Sequence, residues 1–213
     1  MRAIKKMTLE TSHGREVDVS VFEQVDYSES FQAMSQFAQE RKADENDQIW
    51  LLEHPPVYTQ GTACSIDAFM PSEIPTVKTD RGGQITYHGP GQIVMYPLLD
   101  LKQHGIGVKS LVAKLEQCMI DALAELEVSS DRRDDAPGVY VGDAKIGALG
   151  LRIRKGTSYH GLSLNVDMDL SPFKNIDPCG YQGLRVTQVA DHVDTPSLRV
   201  LSNTVMRLFI GSL

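Results

Sequence analysis

The sequence predicts an α+β domain, a mixed and largely antiparallel β-sheet flanked by α-helices. Strand patterns crowd the middle of the chain, from Ile49 to Val166. Several are separated by short turns, as at Ser12–Gly14 and Gly142–Asp143, and such turns join antiparallel neighbours. Helical patterns are few and interspersed, so the helices are expected to pack against the sheet.

Taken in order, residues 3–25 form a hairpin, with Val17, Val19 and Val21 alternating after the turn. Ser28 to Arg41 is an amphipathic helix with Phe31, Met34, Phe37 and Ala38 on one face and a serine-rich start as its cap. Ile49–Glu53 is a short apolar run ended by His54, Pro55 and Pro56, and Val57–Thr59 continues as a strand. Thr76–Thr79 leads into a glycine-rich stretch, and Ile93–Leu101 leaves it as a strand apolar on both faces. Val108–Leu126 repeats apolar residues at three-four spacing and is the clearest helix, with Cys118 beside its stripe as a small core residue. Val139–Val141 and Ala144–Ile153 flank the Gly142–Asp143 turn, and Ser158–Val166 follows Gly156 and Thr157. Ser197–Phe209 is a closing helix.

The chain has 213 residues, which suits a single domain over 1–213. Lys and Arg number 21 against 28 Asp and Glu, a formal charge of -7 that argues against a general nucleic-acid binder. Cys64, Cys118 and Cys179 are widely spaced and lack any zinc-type pattern, so no disulfide framework and no metal is expected. Unpaired cysteines suit a reducing cytoplasm. No signal peptide is evident, and no apolar run approaches the ~20 residues of a membrane span.

Residues 81–92, RGGQITYHGPGQ, hold four glycines and a proline between apolar runs. Gly82, Gly83, Gly89 and Gly91 can take positive φ or let a ligand approach the backbone. Ile85, Thr86 and Tyr87 form a strand bracketed by Arg81 and His88. Two tight turns at a sheet edge would account for the pattern; so would one wall of a ligand pocket.

Lys145 is the most telling single position. Strict alternation puts it in phase with Gly147, Leu149, Leu151 and Ile153, hence on the core side. Desolvation disfavours an ammonium, so a lysine there suits a general base. A bulge at Gly147 would reset the phase and leave Lys145 as a surface residue. His160 is in phase with Leu162, Leu164 and Val166, a place that equally suits a satisfied core histidine. Cys179 sits outside any periodic element, between Pro178 and Gly180, where backbone N–H groups can hold an oxyanion or stabilise a thiolate. As its base, Lys145, His88 and His160 compete, and spacing does not rank them.

Four collinear motifs, RGGQITYHGPGQ, GVYVGDAKIGALGLRI, YHGLSLNV and SPFKNIDPCGYQG, cover roughly residues 48–190. Together they resemble the lipoyl (octanoyl) transferases of the biotin and lipoate protein ligase superfamily. The resemblance implies a mixed sheet with flanking helices, in agreement with the class read from pattern. It implies that an octanoyl group passes from acyl carrier protein through a thioester to a lysine of a lipoyl domain. The acceptors it implies are the lipoyl domains of 2-oxoacid dehydrogenase complexes and the glycine cleavage H protein. It makes Cys179 the acylated cysteine and Lys145 the lysine that activates it. It makes Arg81, Gly82, Gly83, Gln84, Ile85, Thr86, Tyr87 and His88 the substrate-binding strand. Ala148, Leu149 and Gly150, with Gly161, Leu162 and Ser163, become two backbone segments lining the acyl pocket. Relatives can carry a larger residue where this chain has Gly147. No cofactor, metal, nucleic acid or membrane is implied, and a monomer is expected. The carrier is acidic, so docking needs a local basic surface, at Arg152, Arg154 and Lys155 or at Arg132 and Arg133. An ATP-dependent lipoate or biotin ligase of the same superfamily and a non-catalytic acyl-binding module are the competing readings.

Overall fold

A computed structural model describes residues 1–64, 73–133, 136–176 and 184–213 of the chain. Strands β1 (Lys5–Glu10) and β2 (Glu16–Gln24) form the expected hairpin, and helix α1 (Tyr27–Glu40) follows. Asp26 caps α1, its carboxylate accepting from the N–H groups of Ser28 and Glu29. The serines expected to do so lie inside the first turn instead. β3 (Asp47–Glu53) then returns parallel to β2. That pairing is made across a helix, so no local turn signal announces it.

β4 (Val57–Gln60), β5 (Thr76–Lys78) and β6 (Ile85–His88) form a small sheet of their own, in the order β5-β4-β6. β7 (Gln92–Leu98), buried throughout, leads to α2 (Val108–Ala124), β8 (Asp131–Arg132) and β9 (Val139–Val141). The long hairpin of β10 (Ala144–Arg154) and β11 (Thr157–Asn165) follows, and α3 (Leu198–Ser212) closes the fold, capped by Ser197. The large sheet has the order β1-β2-β3-β7-β11-β10-β9-β8, antiparallel apart from β2 with β3. Among the described residues, no helix is long and apolar enough to cross a membrane.

Each face of the large sheet is covered by helices whose apolar stripes match it. On one face Leu111, Leu115, Met119 and Leu123 of α2 and Leu201, Val205 and Phe209 of α3 pack on Ile49, Met95, Leu162 and Leu164. Cys118 lies in this core, as its position in the stripe requires. On the other face Met34 and Ala38 of α1 pack on Trp50, Val94, Tyr96 and Tyr159. The small sheet forms a third cluster, where Tyr58, Ile85 and Tyr87 meet Met168 and Ile176.

The turn between β6 and β7 ties these parts together. The Gly91 N–H donates to Glu53, 2.8 Å away, and its carbonyl accepts from Val166 and Asp167, both at 3.1 Å. Gly91 has φ +86, and a Cβ there would overlap the Asp167 carbonyl. Glycine is therefore required twice, for the left-handed backbone and for the close approach. Gly91→Ala should cost about 1–3 kcal/mol, as overpacking does. For a chain of this size that lowers the unfolding midpoint by roughly 2–12 °C. An unchanged midpoint in a thermal melt would show that the turn has room to spare.

Candidate active site

A cavity opens between the small sheet and the α1 face of the large one. β6 and the loop before it supply Arg81, Gly83, Gln84, Ile85, Thr86 and His88, while β7, β10 and β11 supply Val94, Tyr96, Lys145 to Gly150 and His160 to Ser163. Phe173 and Val186 complete the apolar wall. Of the residues expected on the substrate strand, Gly82 and Tyr87 do not line the cavity. Tyr87 faces the small-sheet core and packs edge-on against Phe173. The two expected backbone segments, Ala148–Gly150 and Gly161–Ser163, lie side by side as partners in the β10–β11 ladder. Cys179, with its neighbours Pro178 and Gly180, lies outside the described residues.

Lys145 is buried, with 4 % of its surface exposed, but not for the reason alternation suggests. The β9–β10 register shifts between Lys145 and Gly147. Ile146 joins the α2–α3 core with Leu149, Leu151 and Ile153, and a Cβ on Gly147 would sit 2.7 Å from Met119 Sδ in that same core. Two successive residues thus face one side, as in a bulge. Lys145 is thrown to the cavity side while the leucines stay on the helix side. The phase reset is real, yet the lysine remains buried. Its Nζ donates to the Pro137 carbonyl at 3.0 Å and lies 5.1 Å from the centre of the Tyr140 ring. Gly138 makes the room: a Cβ there would come within 3.2 Å of Nζ. Its N–H is tied to the buried Glu116 carboxylate of α2 at 2.9 Å.

The segment beyond Cys179 is pinned to this lysine. The Lys145 N–H donates to the Arg185 carbonyl at 2.8 Å, and the Thr187 N–H donates to the Lys145 carbonyl at 3.0 Å. Val186, between them, lines the cavity.

His160 also departs from simple alternation. It has φ +58, rare for a residue with a side chain, and its ring stacks on Phe31 of α1 rather than joining Leu162 and Leu164. Gly161 beside it has no space for a Cβ, which would overlap the Met95 carbonyl of β7. The ring lies between Asp80, 2.9 Å from Nε2, and the Tyr27 hydroxyl, 3.3 Å from Nδ1. Burial pushes the His160 ring toward neutrality against the pull of Asp80. Burial also raises the Asp80 carboxyl, but hydrogen bonds from His160 and Tyr159 outweigh it and hold the group below the usual range. Nε2–H therefore donates to an ionised Asp80, and Nδ1 accepts from Tyr27.

Arg81 is the fixed charge of the site and is only 7 % exposed. Its guanidinium donates to the Thr59 carbonyl at 2.6 Å, to Thr59 Oγ1 at 2.9 Å and to the Gly82 carbonyl at 3.0 Å. Gly150 gives it passage, since a Cβ there would meet Arg81 Cδ at 3.1 Å. Around it stand rings that motif reading does not mark: His54, Tyr27 and Tyr96. His54 donates to the Val25 carbonyl at 2.6 Å through Nδ1 and so accepts from the Tyr96 hydroxyl at 2.7 Å through Nε2. The His88 ring is stacked on Tyr27 with centroids 5.7 Å apart. The only sequence signal for His54 is its place between an apolar run and two prolines. Among the described residues no group of three or more His, Cys, Asp or Glu is arranged to hold a metal ion.

Burial lowers His54 from 6.5 to about 4. Burial, then repulsion from His54, lowers His88 to about 3. Both rings are neutral in the fold and take up protons in the unfolded chain near 6.5. Stability is therefore complete above pH ~6.5 and declines as pH falls toward 4, by up to about 1.4 kcal/mol per pH unit for each ring. Denaturant midpoints should drop between pH 7.5 and 5, before the carboxylates titrate; a flat profile over that range would show that the rings are not held neutral.

The model of the lipoyl protein ligase A/B catalytic domain matches residues 26–210. An octanoyltransferase from Cellvibrio japonicus (strain Ueda107) is 57% identical over 174 residues, 81% of this chain and 81% of that protein. One from Dechloromonas aromatica (strain RCB) is 60% identical over 168 residues, 78% of this chain and 82% of that protein. A crystal structure of lipoate-protein ligase A bound with ATP superposes with a TM-score of 0.75, covering 94% of this chain and 84% of that one at 17% identity, a likeness of fold. With the catalytic-domain model matching most of this chain and octanoyltransferases this similar, the chain belongs to the octanoyltransferases of the lipoyl protein ligase A/B family.

Proposed function

We propose that this octanoyltransferase passes its acyl group through a thioester on Cys179, with Lys145 as the base of both half-reactions. The donor is octanoyl-acyl carrier protein. The acceptor is a lysine on a lipoyl domain, as in 2-oxoacid dehydrogenase complexes and the glycine cleavage H protein. The whole chain acts as one catalytic domain, a monomer in the cytoplasm that needs no cofactor.

The observation that carries this reading is a buried lysine facing an apolar, glycine-walled cavity, with the chain beyond Cys179 bonded to its backbone. Phe173 before the cysteine and Val186 after it both line that cavity. The described segments on both sides of the cysteine therefore belong to the wall that Lys145 faces.

In the first half-reaction the neutral amine of Lys145 takes the Cys179 proton. The thiolate adds to the octanoyl carbonyl, the carrier's thiolate leaves, and Lys145 returns the proton to it. In the second, the acceptor amine adds to the acyl-cysteine and gives its proton to Lys145, and the Cys179 thiolate departs and is reprotonated. A thioester is exchanged for an amide, which is downhill without a nucleotide. Burial of the tail contributes about 0.8 kcal/mol per CH₂.

The basic surface nearest this chemistry is at Arg133. Its guanidinium lies 4.4 Å over the Tyr140 ring, the same ring that Lys145 approaches. Arg154 and Lys155 reach away to α1, donating to Ser35 Oγ and to the Gln39 carbonyl, both at 3.1 Å, whereas Arg133 pairs with Asp143 of the β9–β10 turn at 2.8 Å and stays beside that ring. We therefore place carrier docking at Arg132 and Arg133.

Mixing the protein with octanoyl-carrier protein should add one octanoyl mass, mapping to Cys179 and missing from Cys179→Ala. Lys145→Met should slow single-turnover acylation by about 10²–10⁴, the usual contribution of general acid–base catalysis. An adduct on another residue, or acylation of Lys145→Met at the wild-type rate, would reject the dyad. Arg133→Glu should weaken the carrier most at low salt, where surface charge is least screened. Equal KM values for wild type and Arg133→Glu at 20 and 200 mM salt (about 20- and 7-Å screening lengths) would reject the docking site.

A further inference from the structure

We infer that His88 and Asn165 are positioning residues, links in a one-way chain of hydrogen bonds that runs from Arg81 to the Thr187 carbonyl and so holds Lys145 in place. The inference rests on Lys145 being the base, as proposed above.

Both ends of the chain have fixed polarity, and that fixes everything between. A guanidinium only donates. Thr59 Oγ1 accepts from Arg81 Nη2 at 2.9 Å and from Nε at 3.3 Å, which leaves its own proton for His88 Nε2, 3.5 Å away. At the other end a carbonyl only accepts, so Asn165 must donate through Nδ2 to Thr187 O at 3.0 Å. Asn165 Oδ1 then faces Gln92 Nε2 at 2.8 Å, and that same Nε2 reaches the Tyr87 carbonyl at 3.3 Å. Gln92 Oε1 is left to accept from His88 Nδ1 at 2.7 Å. His88 must carry its one proton on Nδ1 and keep Nε2 bare. Any other tautomer, or a second proton, sets two donors or two acceptors against each other.

Every member is buried, so a reversed link would strand a polar group away from water. The rings packed on His88 reinforce its neutral form. Tyr27 is stacked on it, and His54 lies edge-on with centroids 5.7 Å apart. Arg81 adds a fixed positive charge on that side. A ring whose nitrogens are both committed has no free atom for a proton in transit. Its effect reaches the chemistry through the backbone. The Thr187 peptide is held by Asn165 through its own carbonyl, and by Lys145 through its own N–H at 3.0 Å. Movement of Thr187 therefore moves Lys145.

Two measurements on the full chain test this. In ¹⁵N-histidine NMR of the wild-type protein, His88 should show a protonated Nδ1 and an unprotonated Nε2 from pH 8 to pH 5. An Nε2–H tautomer, or titration within that range, would overturn the relay without reference to any variant. In single-turnover acylation, Asn165→Asp sets a carboxylate oxygen against the Thr187 carbonyl, and His88→Ala removes the middle link. Each should slow acylation by about 10–100-fold, the scale of a small misplacement of reacting groups, with donor KM changed by less than about threefold. His88→Asn, whose Nδ2 overlays Nδ1, should recover part of the loss and leave the pH profile in place. If His88→Asn instead matches His88→Ala and an ionisation disappears from the profile, His88 is a proton carrier and the inference fails. Slow acylation by Lys145→Met with wild-type rates in Asn165→Asp would overturn the positioning role alone. A wild-type rate in Lys145→Met would overturn the base assignment on which it rests.

Discussion

A permanent positive charge taken out of water governs this site. Arg81 cannot shed its proton, so its surroundings must accept it. Two carbonyls and a hydroxyl do so directly, and the titratable groups around it settle into the forms that do not compete. His54 and His88 stay neutral, the Tyr27 hydroxyl is pushed up to about 12 chiefly by burial, and Asp80, ionised, carries the opposite sign. A second charged imidazole here would pay a desolvation penalty and repel the guanidinium as well. The cluster is thus a set of oriented dipoles around one charge, and its geometry hardly responds to pH near neutrality.

The glycines follow from the same crowding. Gly150 lets the Arg81 side chain pass, Gly138 lets the Lys145 side chain pass, and Gly161 lets β11 approach β7. Each stands where a long side chain or a neighbouring backbone needs the volume of a methyl group. The apolar wall of the cavity is made largely of backbone for that reason. Gly147 differs from these three, because its missing side chain is answered by Met119, a residue flexible enough to give way.

The layer order was accessible from pattern because turns, stripes and caps are local. Ser12–Gly14, Gly142–Asp143 and the α2 stripe each act within a few residues, and each appears where its pattern puts it. The parallel pairs β2–β3 and β4–β5 depend on contacts made across long connections, and no local signal marks them. At the site, alternation misplaces two side chains. A bulge turns Lys145 from the helix side to the cavity, and a left-handed φ turns His160 to the α1 face. Both are single-residue irregularities, and a period of two cannot anticipate either. Tyr27, His54 and Asp80 carry no motif at all. They matter through distances between segments far apart in the chain.

Strand β10 shows how one local irregularity shapes the whole cavity. Without the shift at Lys145 and Gly147, the lysine would face α2 and α3, where Leu115, Met119 and Leu123 leave it only an apolar core. Ala148 and Gly150 would then lie on the face opposite the amine, and the cavity they line would lack it. With the shift, the strand offers its amine at one end of the cavity and bare backbone beyond it, ending where Gly150 meets the Arg81 loop. At about 3.3 Å per residue, Lys145 to Gly150 spans roughly 16 Å. The seven C–C bonds of an octanoyl chain, at about 1.5 Å each, cover no more than about 11 Å. On the proposed assignment, an acyl carbonyl at Lys145 would leave its methyl end short of Gly150, so an apolar tail and the buried charge would share one cavity without meeting.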